Sequence, residues 1–355
     1  MNVYLSNLAL MALGYFIWVF TKKFKNGRLY FCVQATIQWV LVSGLRSTRV
    51  GADTQRYHDI FESVKNTDWS EIADSFKYWL LGSETVKDPG YTVLQKIFQY
   101  FSTDYQVFLV FVAICFMVPL GIWIYRNSTD PFFSFALFSA LFYSFFAITG
   151  IRQTLVTGIV VFLGDELLKK KKYVPFFIIL LIMIPVHRSA IALVILPLLM
   201  NLPQNAMVRV GTVVLAIAAY FFRQPFLTLI SGIVGYDAYD SYIEGAGATT
   251  FTLLYYALFL LALVLYDSAL GGVKHGRRIM NFITVGAILL PLVSINPSAM
   301  RAVQYFSVFL MLLIPHVLDT IEKKETRTYV GIIFIVVLVA LMAKNSPTYT
   351  FFWQI

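Results

Sequence analysis

Apolar residues along this chain fall in long continuous runs separated by shorter polar stretches. Continuous runs predict membrane-crossing helices, whereas the strands of a membrane barrel would alternate. Hydropathy with the Lys/Arg bias of the connecting loops places about twelve spans, at 2–20, 29–45, 105–125, 131–149, 154–168, 173–186, 189–201, 210–222, 251–267, 279–295, 302–318 and 328–343. Two longer polar segments, 46–104 and 223–250, are expected as loops on the outer side. Within the first, DWSEIADSFKYWLL carries apolar residues at helical spacing and reads as a helix lying on the membrane surface. The run YVPFFIILLIMIPVHRSAIALVILPLLMN is too long for one straight span. Splitting it at His187-Arg188-Ser189 keeps Lys274, Arg277, Arg278, Lys323, Lys324 and Arg327 on the inner side, whereas one kinked helix would put them all outside. The expectation is a single all-α polytopic domain over residues 1–355 with both termini outside. The positive charges follow the first apolar run instead of preceding it, so that run is expected to remain attached as a helix.

Composition supports this picture. The chain is 59% hydrophobic and only 13% charged, against about a quarter charged in soluble proteins. The net charge of +9 lies largely in short loops, which is the positive-inside pattern and not a nucleic-acid footprint. Cys32 and Cys115 both sit in apolar runs and read as buried thiols without a disulfide. No two histidines have a ligand spacing and no helix carries HExxH, so neither a metal nor another cofactor is expected.

Once sides are assigned, the outer cations at helix ends are single arginines: Arg46, Arg49, Arg152, Arg188, Arg223 and Arg301. A guanidinium offers a fixed fork of donors suited to phosphate oxygens. Arginines that converge at headgroup level would make a diphosphate site; the other reading is snorkelling against anionic lipids, and Arg223 fits that better. His187 lies in apolar surroundings at an outer helix end, and nearby arginines would keep it neutral, as a general base requires. A histidine bonded between helices is the alternative. Asp53 follows Gly51 and is a candidate base, an orienter of Arg46 or Arg49, or the cap of TQRYHDIFESV. Asp88-Pro89-Gly90-Tyr91 reads as a turn whose Asp caps the next helix. In GYDAYDSYIEG, Tyr236, Tyr239 and Tyr242 would share a helix face suited to stacking on sugars, or form an interfacial tyrosine belt.

These residues, taken in order, resemble the EpsG family of bacterial exopolysaccharide and O-antigen polymerases, the Wzy-type enzymes. The resemblance rests on Arg46, on Arg49-Val50-Gly51-Ala52-Asp53 with Tyr57, and on Asp88-Pro89-Gly90-Tyr91. It continues through Gly150-Ile151-Arg152-Gln153, His187-Arg188-Ser189-Ala190, and Arg301 with Gln304-Tyr305-Phe306. Ala52 departs from the family's more usual small hydroxyl residue, and nothing after about residue 318 matches a motif. The resemblance implies a multi-spanning glycosyltransferase of the cytoplasmic membrane with its site facing outward. It would move a growing glycan from a polyprenyl diphosphate to the non-reducing end of a lipid-linked oligosaccharide repeat, without nucleotide sugar, metal or nucleic acid. Membrane lipids, a flippase and a chain-length regulator are the implied partners. In that frame His187 and Asp53 are the candidate bases. Arg46, Arg49, Arg152, Arg188 and Arg301 are the diphosphate ligands. Gln153, Gln304, Tyr305 and the three loop tyrosines are sugar contacts. A flippase or transporter of the lipid-linked repeat is the competing reading, although it should place ionisable groups at the midplane. An O-antigen ligase is the competing enzyme.

Overall fold

A computed structural model describes residues 2–83, 86–234 and 246–354. Among them the architecture is helical, and the one β contact is an isolated bridge between Arg46 and Phe351. Helix α1 (Val3–Tyr15) continues through a π turn to Phe20, and α2 (Gly27–Gly44) returns. The first segment expected as a loop is folded into α3 (Thr54–Val64), α4 (Trp69–Leu80) and α5 (Pro89–Gln99). Helix α6 (Tyr105–Asn127) starts where Asp104 accepts the Gln106 amide. A π turn joins α7 (Pro131–Leu137) to α8 (Tyr143–Phe146), and another joins α9 (Ile151–Val156) to α10 (Gly164–Lys169). The α9 helix begins earlier than expected, so Arg152 and Gln153 stand in its first turn.

The long run 173–201 does break. Helix α11 (Tyr173–Met183) ends at a turn, and a 3-10 helix, Arg188–Ile195, leads into α12 (Leu196–Leu199). Next, α13 (Ala206–Phe221) bends by 91° into α14 (Arg223–Val234), so the second expected loop begins as a helix. There follow α15 (Ala246–Val264), α16 (Tyr266–Ala269), α17 (Gly276–Leu289), α18 (Met300–Ser307), α19 (Leu310–Asp319) and α20 (Lys324–Asn345).

Among the described residues four helices are long and apolar enough to cross a membrane: Val3–Phe20, Tyr105–Asn127, Gly276–Ser294 and Lys324–Asn345. Counting each bent pair as one span raises the number to 6. Most of the remaining expected spans are shorter apolar helices, among them Pro131–Phe146 and Tyr173–Met183. Helix α2 is interrupted chemically by Gln34, Thr36 and Gln38.

The core centres on α6, whose Phe108, Phe116 and Trp123 are fully buried. Trp39 of α2 meets Phe138 edge-on at 5.0 Å, and Phe309 meets Trp123 at 5.2 Å and Phe282 at 4.2 Å. The perimeter is apolar as well: α13 exposes Val210, Val214 and Phe221, and α20 exposes Ile332, Ile333 and Val336. An outward-facing apolar girdle on this scale suits lipid and not water.

Polar groups concentrate at the two ends of α6. Near Asn127, Arg278 is buried against Asp165 (Nε to Oδ1, 2.8 Å), and Trp123 Nε1 donates to Asp165 Oδ2 at 2.8 Å. Arg28, Arg126 and Lys169 bond within the same layer. Near Tyr105 lie Arg46, Asp88, Arg152 and His187, described below. The structure thus separates two sets of cations that the loop bias also separates. A short C-terminal strap completes the Tyr105 end. The Ser47 amide donates to Thr350 O at 2.9 Å, the Phe352 amide to Leu45 O at 3.0 Å, and the Tyr349 hydroxyl to Val42 O at 2.9 Å.

Candidate active site at the Tyr105 end of the central helix

Asp88 stands just before Pro89, which opens α5. Its backbone is left-handed, with φ 51°, a conformation that Asp tolerates better than most side chains. The expected helix cap does not form. The carboxylate turns away from the α5 amides and takes its donors from two distant segments. Oδ1 accepts the Arg188 amide at 2.9 Å. Oδ2 accepts from the Arg152 guanidinium and lies 3.2 Å from His187 Nδ1. Gly90 anchors this loop. Its amide donates to Pro185 O at 2.9 Å, and a Cβ there would stand 2.8 Å from the Pro185 carbonyl carbon. No side chain fits at that approach.

Arg152 is held from a second direction by helix α3. Its Nε donates to the Tyr57 hydroxyl at 3.3 Å, and its guanidinium carbon lies 5.5 Å from the Tyr57 ring centre. The turn before α3 depends on Gly51, which has φ 94° and where a Cβ would lie 2.1 Å from Ile148 O. Thr54 then donates to that same carbonyl at 3.0 Å, which packs α3 down on the segment leading into Arg152.

His187 is buried in the turn between α11 and the 3-10 helix. A hydrogen bond to the Asp88 carboxylate calls for the proton on Nδ1, leaving Nε2 with its lone pair. Nε2 is itself buried and has no hydrogen-bond partner among the described residues. Burial pushes the His187 pKa down; the Asp88 carboxylate opposes this, and Arg152 and Arg301 reinforce it. Burial alone would raise the Asp88 pKa, but the hydrogen bonds from His187 and the Arg188 amide and the charge of Arg152 prevail and hold it low. The arrangement is an oriented neutral imidazole backed by an ionised carboxylate, which is the geometry of a general base.

The other sequence candidates fall at different depths around this pair. Arg301 is close enough for its charge to act on His187, and its carbonyl accepts from Gln153 Nε2 at 2.6 Å. Arg188 is half-buried beside His187. Arg49 is exposed. Arg46 is buried under the strap among Tyr4, Tyr91, Tyr105 and Tyr349, bonded to Ser43 O, with no carboxylate partner among the described residues. Asp53 occupies the N-cap position of α3, but its side chain makes no capping bond, and among the described residues it pairs with neither Arg46 nor Arg49. The expected orienting role therefore falls to Asp88, which meets Arg152 instead. Tyr305 is fully buried with its hydroxyl 2.9 Å from Ser189 Oγ, so it braces α18 against the His187 turn and does not offer an open sugar contact. Gln304 lines a cavity on the other side of α18. Tyr236, Tyr239 and Tyr242 lie outside the described residues. Sequence reasoning missed the roles of Asp88 and Tyr57, although both stand in the motif set that carried the resemblance. Among the described residues no group of three His, Cys, Asp or Glu side chains is placed to hold a metal ion.

No curated protein and no solved structure matches the chain. A sequence model described as the EpsG family matches residues 28–354. That match takes in both halves of the His187 cluster, from Tyr57 and Asp88 to Arg301. The chain is a membrane protein of polysaccharide biosynthesis and belongs to the EpsG family.

Proposed function

We propose that this chain is a repeat-unit polymerase working on lipid-linked oligosaccharides at the outer face of the cytoplasmic membrane. The observation that carries the reading is His187, with Nδ1 on Asp88 and a buried, unpartnered Nε2. In the reaction, an acceptor hydroxyl at the non-reducing end of a lipid-linked repeat attacks the anomeric carbon of the growing glycan. The new C–O bond forms as the bond to the polyprenyl diphosphate breaks, and the hydroxyl proton passes to His187 Nε2. The diphosphate leaves with its extra negative charge, which Arg188, next in sequence to His187, Arg301, whose charge acts on His187, and the exposed Arg49 are suited to neutralise. Arg152 is already engaged by Asp88 and Tyr57, so its first task is to keep the carboxylate ionised and fixed.

The test is turnover by the purified chain with a lipid-linked repeat. His187→Ala is expected to abolish chain extension while substrate binding persists, and Arg301→Lys to lose most activity at normal abundance, since Lys keeps charge but lacks the fork. Full-length glycan from both variants would remove the reading. A cell lacking the gene should still display one-repeat glycans; their complete loss would favour a flippase.

A further inference from the structure

Arg46 bonds to no member of the His187 cluster, yet it is only 2% exposed. A buried charge is stable only when it is paired or well hydrogen-bonded. Among the described residues the side-chain hydrogen bonds of Arg46 run to Ser43 alone, from one terminal nitrogen to the carbonyl and, at 3.4 Å, to Oγ. No carboxylate among them pairs with it, and its Nε is buried without a partner there.

The surroundings of this guanidinium are rich in donors. Tyr4, Tyr91, Tyr105 and Tyr349 are within electrostatic reach of it. Two of them spend their hydroxyl protons on the backbone: Tyr105 donates to Thr54 O at 3.2 Å and Tyr349 to Val42 O at 2.9 Å. The other two, Tyr4 and Tyr91, are buried, and their hydroxyls have no partner among the described residues. Asn7, one turn from Tyr4 on the buried face of α1, has an unpartnered Nδ2. Trp39, one turn from Ser43 on α2, has an unpartnered Nε1; its ring lies 5.8 Å from that of Tyr143, which lies 4.5 Å from that of Tyr4. An indole or guanidinium N–H can only donate. Elsewhere among the described residues the unpartnered buried atoms are mostly acceptors, such as Gln99 Oε1, Gln153 Oε1 and Gln204 Oε1. The region around Arg46 therefore combines a positive charge with more donors than acceptors to meet them, a surplus that a bound ion or water resolves.

We infer that Arg46 and the hydroxyls of Tyr4 and Tyr91 hold a small monovalent anion, chloride under ordinary conditions, beneath the C-terminal strap. An anion supplies both countercharge and acceptor; a water molecule supplies only the second. A diphosphate headgroup does not reach a guanidinium that the strap covers. Tyr91 is within electrostatic reach of both Arg46 and Arg152, so an anion at Arg46 also offsets the repulsion between these two buried cations.

The test uses the purified full chain in detergent, dialysed into gluconate and equilibrated with radioactive chloride at constant ionic strength. One saturable site per chain is expected, with a melting temperature that rises with chloride or bromide but not with gluconate. Tyr4→Phe and Tyr91→Phe each remove one hydroxyl and should each weaken chloride binding about ten-fold. Arg46→Met should abolish uptake; if that variant does not fold, the two tyrosine variants decide. Excess inorganic diphosphate should leave the bound chloride in place. Absence of saturable uptake would overturn the inference and leave water as the partner of these donors. Uptake unchanged in both tyrosine variants would overturn it by placing the ion elsewhere. Displacement of chloride by diphosphate would overturn it by returning Arg46 to the substrate site.

Discussion

At the scale of single residues, the central relation is the one between Asp88 and His187. The carboxylate fixes the imidazole tautomer and opposes the effect of burial on its pKa. Asp88→Asn keeps the shape and removes the charge. Turnover should fall by about 10²–10⁴-fold, the usual contribution of an oriented base. The pH profile separates this from simple misfolding. His187 acts in its neutral form, so activity is lost as pH drops through its pKa, which burial already sets below the ordinary histidine value. Without the carboxylate that pKa falls further, and the acid limb of the profile should move to lower pH. An acid limb that stays in place, with turnover reduced, would mean that Asp88 only stabilises the turn. His187 was legible as a candidate base, but its pairing with Asp88 was not. Asp-Pro-Gly reads as a turn with a cap, and the turn is real. The carboxylate's true partners lie on the far side of α6 in sequence, at positions 152, 187 and 188, and no spacing rule connects them.

At the scale of elements, the helices that start with a capping Asp or Asn or a Pro were legible, as at α6 and α7. The π turns, the bend after Phe221 and the early start of α9 were not, because apolar residues serve a straight helix and a distorted one equally well. The segment expected as a surface helix forms α4, which buries Ile72 and exposes Trp69, Tyr78 and Leu80, with Leu81 just beyond it. Tyr100 and Phe101, next to the start of α6, continue that patch, and Trp69 Nε1 donates to the Tyr100 hydroxyl at 2.9 Å. The patch should dip into lipid at headgroup level. Spin labels at Leu80 and Phe101 in nanodiscs are expected to relax with oxygen and resist a water-soluble nickel chelate; the reverse would place the patch in water. At the other end of α6 the buried Arg278–Asp165 pair ties α17 to α10. Arg278→Met leaves a buried carboxylate without its cation, a loss of about 3–5 kcal/mol, visible as a lower melting temperature in detergent. Adding Asp165→Leu should recover much of it, because two apolar side chains avoid the stranded charge.

At the scale of the whole molecule, the two polar layers make a topology prediction. Cysteines placed at Ala52 and Ser102 should react with a membrane-impermeant thiol reagent in intact cells, and one at Lys171 should react only after permeabilisation. Cys32 is buried and Cys115 half-buried, so background labelling is expected to be low. The strap adds a constraint of another kind. Residues 42–47 leave the ribosome early, and the residues that cover them, 349–352, leave it roughly three hundred positions later, as the Ser47–Thr350 and Tyr349–Val42 contacts record. Until then Arg46 lacks its roof. A nascent chain can already have inserted Asp88, Arg152 and His187 while the wall beside them is still open. Assembly of this end of the protein therefore waits for the synthesis of residues 349–352, and a chain stalled after α20 would present a cluster of the right residues beside an open wall.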